Sequence, residues 1–390
     1  MKNVLVTGSC GLIGSEAVKF YASKGSRVVG IDNDMRLKFF HDEGSSTKHM
    51  VKELGSFDNY FHHSVDIRDE ESVSEIFKEN DFDLIIHAAA QPSHDWPAID
   101  QILEKDKIDL SKLLDTSGPM TDFTVNQMGT LVLLEATKKY CPGAVFIYTS
   151  TNKVYGDMPN KLRLVEKDSR WELNRNHPYW NGIPEDIPLD INNPDDAHLK
   201  SLFTNLTPAV RSLFGVDKLG AESLVAEYGR NSELAGGTVL KTGVFRGGCL
   251  TGPAHAGTRL HGFLAYLVKC IYSGEKYIVN GYNGKQVRDN IHASDVLNVF
   301  DAFANNPRPG EIYNLGGGRY SNISMSESIE WIENYFGKKG NIKFSEVNRK
   351  GDHIWYISDM SKFKKHYPGW NYEYNIDKIL TGICEAVKNE

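Results

Sequence analysis

The chain has 390 residues, 40% hydrophobic and 24% charged, enough for one large or two modest domains and unlike a disordered or fibrous composition. A formal net charge of -7 provides no broad basic field, so neither nucleic acid nor an anionic membrane is an expected partner, and a small-molecule substrate is. Cys10, Cys141, Cys249, Cys270 and Cys384 are scattered, with no CxxC pair and no His/Cys cluster at ligand spacing, so no metal is expected and a reducing, cytoplasmic setting is. The apolar run after Met1 lasts only from Val4 to Val6, too short for a signal peptide or a membrane span.

Apolar, β-branched runs at Asn3–Thr7, Arg27–Asp32, Tyr60–Val65, Leu84–Ala88 and Ala144–Tyr148 predict strands. Between them Gly11–Lys24, Asp69–Asn80 and Phe123–Tyr140 repeat apolar residues three or four apart, as amphipathic helices do. Such alternation predicts an α/β fold, a Rossmann doubly wound parallel sheet. From Pro159 to Pro208 the chain is rich in Pro, Asn, Asp and Trp, too long for an ordinary connection and suited to shaping a substrate site. A helix at Leu213–Tyr228 and a strand at Thr238–Arg246 follow. The expected domains are a Rossmann domain over residues 1–245, with that insertion, and a smaller mixed α/β substrate-binding domain over residues 246–390.

Thr7-Gly8-Ser9-Cys10-Gly11-Leu12-Ile13-Gly14 follows the first strand and opens the first helix. Backbone N–H groups at Gly8, Gly11, Leu12, Ile13 and Gly14 would face a dinucleotide pyrophosphate there, with glycine needed wherever a Cβ blocks the approach. Asp32, followed by Asn33, ends the second strand; its carboxylate would accept ribose hydroxyls and repel a 2′-phosphate, which favours NAD over NADP. A turn or cap is the competing reading of Asp32, and the nearby Arg36 would suit a phosphate. Asp66 and Ile67 follow the third strand, where Asp66 could meet the adenine. Ala88, Ala89 and Ala90 follow the fourth, small enough to let the chain pass close to the cofactor, and Asn126 stands near the switch point.

These segments together resemble the extended short-chain dehydrogenase/reductase family, whose members mostly epimerise, dehydrate or decarboxylate nucleotide-diphosphate sugars with tightly held NAD. Thr149-Ser150-Thr151-Asn152-Lys153-Val154-Tyr155-Gly156 looks like the family's Ser/Thr motif. The resemblance puts Thr149 at the cofactor and makes Thr151 the hydroxyl that bonds the reacting sugar oxygen; a strand-end Thr capping local backbone is the plainer reading. Related dehydratases carry acids at the next two positions, so Asn152 and Lys153 disfavour dehydration. The wording Ser-Thr-Asn-Lys-Val-Tyr-Gly-Asp, with Asn283–Asp289 downstream, is similar to the CDP-paratose 2-epimerase group. That likeness implies hydride removal from a ring carbon, a transient ketone, and hydride return to the opposite face.

The family's Tyr-x-x-x-Lys falls on Phe214-Gly215-Val216-Asp217-Lys218. Lys218 keeps the place at the nicotinamide ribose, with a surface-helix lysine as the bland alternative, but a phenyl ring cannot act as the general base. Lys153, His94 and Cys249 are the other candidate proton carriers; they read equally as a cation on the substrate, a loop donor and a small buried filler. Arg288 and Arg349 match arginines that the family places on the substrate pyrophosphate, a task for planar forks, against ion pairs to Asp289 or Asp352. Cys249 stands where relatives turn an Asn toward the pyrophosphate. The resemblance therefore implies Thr151, Lys218 and Lys153 as catalytic residues, a nucleotide-diphosphate sugar as substrate, and a homodimer or homotetramer through the helices at Phe123–Tyr140 and Leu213–Tyr228. Another reaction of the same family, such as 4-epimerisation or net oxidation, and an NAD-binding sensor that lost its phenol are the alternatives.

Overall fold

The computed structural model describes residues 2–35, 37, 47–93, 118–253, 262–346 and 351–389. The chain divides into two compact units: residues 1–151, 213–246 and 296–313 form the first, and residues 152–212, 247–295 and 314–390 the second.

The first unit is built on seven strands: β1 (Asn3–Thr7), β2 (Arg27–Ile31), β3 (Tyr60–His63), β4 (Leu84–His87), β5 (Val145–Thr151), β8 (Lys241–Gly247) and β12 (Glu311–Leu315). They lie in the order β12-β8-β5-β4-β1-β2-β3. From β3 through β5 every pairing is parallel, with Val4 beside Val28 and Leu84 in register. Parallel strands are covered on both faces, so they read as unbroken apolar runs: Val4, Leu5, Val6, Leu84, Ile85 and Ile86 are all fully buried. The covering helices are α1 (Leu12–Ser23), α2 (Thr47–Leu54), α3 (Glu70–Glu79), α4 (Gly118–Phe123), α5 (Gly129–Tyr140) and α6 (Leu213–Tyr228). Val73, Ile76 and Phe77 of α3, Leu133 and Leu134 of α5 and Ala221 and Val225 of α6 join the strand residues in one core; each large apolar side chain so buried contributes roughly 1.5–3 kcal/mol.

Two local differences from the sequence reading matter for the site. Strands β2, β3 and β4 stop at Ile31, His63 and His87, so Asp32, Asp66 and Ala88 lie just beyond the carboxyl ends, where a parallel sheet presents its ligand-facing loops. The single helix expected over Phe123–Tyr140 is instead α4, a π-helical turn over Thr124–Met128, and α5, with Gly129 N–H donating to Thr124 O. The extra residue of a π turn often marks a functional position, and this one contains Asn126.

In the second unit β11 (Val287–His292) pairs parallel with β9 (Cys249–Thr251) and β15 (Trp355–Tyr356), and antiparallel with β13 (Asn322–Ser324). Small pairs are formed by β6 (Leu164–Glu166) with β7 (Trp171–Leu173), antiparallel, and β10 (Lys276–Asn280) with β14 (Asn341–Ser345), parallel. The unit's own core gathers α7 (Phe263–Ser273) with a helix opening at Met325 and another over Ile376–Asn389. The helix from Met325 begins with a capping box in which the Ser324 hydroxyl accepts Glu327 N–H and the Glu327 carboxylate accepts Ser324 N–H, satisfying two otherwise orphaned donors. Among the described residues no helix is long and apolar enough to cross a membrane.

Candidate functional site

In the first unit the β1–α1 turn admits only glycine at two points. Gly8 has φ +68°, and a Cβ there would sit 2.8 Å from Ala89 N; a Cβ on Gly14 would sit 1.9 Å from Gly8 O. Helix α1 opens at Gly11 with no capping side chain and no acid in its first turn, so the N–H groups at its start, through Leu12 and Ile13, remain available to an anion. Beside this turn Asp32 accepts Cys10 N–H at 3.0 Å and Asp34 N–H at 2.9 Å, while burial pushes its pKa above the ordinary carboxylate range against the pull of those two bonds. Asn33 donates to Asp66 at 3.2 Å, and Arg68 grips both oxygens of Asp66 at 2.9 and 2.7 Å. Next to Asp66, Ile67 is buried in the core.

At the end of β4 the buried His87 ring spans Thr7 and Thr130 at 2.8 and 3.0 Å, and burial holds it neutral. Ala89 N–H donates to the Thr7 hydroxyl at 3.2 Å; Ala88, Ala89 and Ala90 are half-buried. The Asn126 amide accepts Gln91 N–H at 3.1 Å and donates to Gln91 O at 3.3 Å and to Asp122 Oδ1 at 3.1 Å. Asn126 thus clamps the loop that follows β4.

At the end of β5 Lys218 Nζ donates to Thr149 O at 2.7 Å and stands 4.2 Å from the Tyr148 ring centre. Burial brings the Lys218 pKa down to about 7, opposed by Glu222 and Asp122. The Thr149 hydroxyl is buried and has no hydrogen-bond partner among the described residues, a polar atom of the kind a bound ligand completes. Thr151 is the last residue of β5, and its neighbour Ser150 donates to Glu222 at 2.8 Å, which is ion-paired with Arg246 at 2.6 Å. Phe214 is buried one turn before Lys218 on α6. A capless helix start behind a glycine turn, together with an unpartnered hydroxyl and a buried amine, fits a dinucleotide.

In the second unit Asn152 and Lys153 open a short 3₁₀ turn, and Asn152 is buried. Lys153 Nζ donates to Gly351 O at 2.9 Å and stands 3.4 Å from Asp352 Oδ1. The Arg288 guanidinium, on β11, reaches the same oxygen at 2.7 Å. One carboxylate therefore meets two cations. Burial lowers the Lys153 pKa, with Asp352 opposing. The ion pair weighed for Arg288 is made with Asp352; Asp289 is fully buried, accepts Gly318 and Ser358 N–H at 3.1 and 2.9 Å, and is raised to about 6 by burial. Burial pushes the Cys249 thiol up to about 12, so it stays protonated at neutral pH and is no base there. His94, Arg349 and Arg36 lie outside the described residues. Among the described residues no group of three or more His, Cys, Asp or Glu side chains could hold a metal ion.

The sequence reading missed Gln91, Asp122, Asp217 and Glu222, which surround Lys218 and Asn126. Two signals were present: Asp217 precedes Lys218 directly, and Asp122 stands four residues before Asn126, on the same face of a helix.

Residues 5–101 match the family described as GDP-mannose 4,6 dehydratase, and residues 194–316 match the NAD dependent epimerase/dehydratase family. The chain is 28% identical over 367 residues to CDP-paratose 2-epimerase of Salmonella typhi, covering 92% of this chain and 91% of that one. It is 27% identical to UDP-glucose 4-epimerase GEPI48 of Cyamopsis tetragonoloba, covering 97% and 93%. The fold is that of UDP-glucuronic acid 4-epimerase from Bacillus cereus, solved in complex with UDP-glucuronic acid and NAD, with a TM-score of 0.71, 20% identity and 99% of each chain covered. The glycine turn, the parallel sheet and these likenesses agree: residues 194–316 match the NAD dependent epimerase/dehydratase family, and over nearly its whole length the chain is similar to nucleotide-sugar epimerases.

Proposed function

We propose that the chain is an NAD-dependent epimerase of nucleotide-diphosphate sugars, acting at C2 of a CDP-hexose such as CDP-paratose. The observation that carries the reading lies in the first unit. At the carboxyl edge of one parallel sheet it gathers the glycine turn, the unpartnered Thr149 hydroxyl and the Lys218 amine bonded to Thr149 O. Bound NAD supplies the acceptor and donor of hydride. Gly8, Gly11 and Gly14 leave room for the pyrophosphate, Asp32 faces the ribose hydroxyls, and Lys218 and Thr149 hold the nicotinamide end. The Thr151 hydroxyl bonds the reacting sugar oxygen and steadies the charge that develops on it. In the second unit Lys153 and Arg288 converge on Asp352, and an ammonium and a planar guanidinium side by side suit a diphosphate.

The choice of C2 and of a cytidine nucleotide is supported by the similarity to CDP-paratose 2-epimerase over 92% of the chain, and by Asn152 and Lys153 in place of the dehydratases' acids. Likeness to UDP-glucose 4-epimerase over 97% of the chain supports 4-epimerisation as a second reading. Assembly as a homodimer or homotetramer belongs to the proposal: Phe123, Leu131 and Val216, on the helices expected to meet, are exposed apolar residues. A cytoplasmic site of action accords with five free cysteines.

The test is incubation of purified protein with CDP-paratose, CDP-tyvelose and UDP-glucose in deuterated water. Inversion at C2 should appear in the ring-proton couplings with no deuterium at the inverted carbon, because the same hydride returns. Inversion accompanied by deuterium, or no inversion of any sugar, overturns the reading.

A further inference from the structure

Phe214 leaves the reaction just proposed without the phenol that would take the hydroxyl proton, and the residues around Lys218 suggest what replaces it. Asp122, on α4, and Asp217, on α6, are 0% and 2% exposed. Their donors are side-chain amides: Gln91 Nε2 at 2.7 Å and Asn126 Nδ2 at 3.1 Å reach Asp122 Oδ1, and Gln127 Nε2 reaches Asp217 Oδ1 at 2.7 Å. No donor from any other described residue reaches the second oxygen of either carboxyl group. The amides that hold them belong to consecutive residues, Asn126 and Gln127, and Asp217 is near enough to act on Asp122. Two carboxylates both lack a proton to donate, so their orphaned oxygens can satisfy one another only when one group is protonated.

The surroundings keep that proton in place. Burial, then the neighbouring Asp217, raise Asp122 to about 8, against Gln91 and Lys218. The other ionisable groups acting here are Lys218 and Glu222, with Tyr148 and His87 held neutral by burial.

We propose that Asp122 and Asp217 share one proton across a carboxyl–carboxylate hydrogen bond and, acting through Lys218, make that lysine the proton acceptor that Phe214 cannot be. The catalytic half rests on the proposed function; the shared proton does not. As the sugar is oxidised, its hydroxyl proton passes to the neutral Lys218 amine while the carbon-bound hydrogen leaves with both electrons to NAD. The ammonium formed faces a pair of net charge -1, and it returns the same proton when the hydride comes back. Two ionised aspartates would hold Lys218 more firmly in its cationic form, and two protonated ones would leave the new ammonium only Glu222, already paired with Arg246. Asp122 and Asp217 are thus positioning residues, and Lys218 is the catalytic one.

The test uses the full chain loaded with NAD. Infrared spectra at neutral pH should show a protonated-carboxyl band that disappears in both Asp122→Asn and Asp217→Asn, since either variant leaves a lone carboxylate held by amides. Each single Asn substitution mimics the protonated partner and keeps the charge at -1, so the midpoint of Lys218, read by carbon-13 NMR of labelled lysine with Lys218→Met to identify the signal, should stay close to that of the unaltered chain. The double variant loses the charge. There the midpoint should fall by about one pH unit, and the first hydride transfer should slow at least about tenfold. A missing band, a band that survives both single substitutions, or an unmoved Lys218 midpoint in the double variant overturns the proposal. Both spectroscopic readouts are independent of turnover, so failure to epimerise any sugar would count against the proposed function alone.

Discussion

In the first unit one lysine, Lys218, stands among carboxyl groups; in the second one carboxylate, Asp352, stands between two cations, Lys153 and Arg288. Both sets are buried or half-buried, so neither charge balance is left to solvent. The first is arranged so that a proton can move near neutrality, because burial disfavours both the ammonium and the carboxylate forms. The second is fixed: its arginine stays charged at any ordinary pH. On the proposed function, the contrast separates a place for proton transfer, one buried amine among carboxyl groups, from a place for phosphate, two cations on one carboxylate.

Substitutions should break the two places differently. The largest effect is expected from Lys218→Met, which removes the proposed proton acceptor: the first hydride transfer, followed by absorbance of reduced cofactor, should fall roughly 10²–10⁴-fold. Next is Arg288→Met. Loss of a charge-assisted bond to an anion costs about 1.5–3 kcal/mol, so KM should rise roughly tenfold to hundredfold while kcat stays nearly unchanged. Asp352→Asn frees both cations and should act in the opposite direction, lowering KM; a raised KM would mean that Asp352 serves the substrate directly. Phe214→Tyr should change the rate by less than about threefold if Lys218 already fills the role of general base. A large gain would mean an impaired site waiting for its phenol.

The same contrast shows what the sequence made legible. The β1–α1 turn could be read because all of its requirements lie within Thr7–Gly14, and β1, β2 and β4 because parallel pairing buries nearly all of each. Asp32 was legible as a residue at a strand end. The proposed pairing of Asp122 with Asp217 was not: it joins α4 to α6 across a long stretch of chain, and only tertiary packing brings the two buried carboxyl groups into one neighbourhood. Arg288 and Asp352 meet in the same way, from β11 and from a loop that precedes β15. The π turn at Thr124–Met128 was invisible for a different reason, since one wider turn hardly changes an apolar spacing of three and four.

The smallest effect is on stability, and it has a definite sign. Asp122 is raised from 3.8 to about 8, so between those values the folded chain holds a proton that the unfolded chain has lost, and stability must fall as pH rises through that window. Lys218, lowered from 10.5 to about 7, acts in reverse: above about 7 the unfolded chain holds the extra proton, and stability rises with pH. Asp122→Asn removes the falling contribution and keeps the rising one. The variant's Tm should therefore gain on that of the unaltered chain steadily from about pH 5 to about pH 8, whatever its absolute value, because the substitution removes a linked proton as well as altering packing. Two Tm curves that run parallel across that range would show that Asp122 is already ionised when folded. The carboxyl pair would then carry no proton, and Lys218 would be bound to a dianionic neighbour much as Arg288 is bound to Asp352, erasing the difference between the two units.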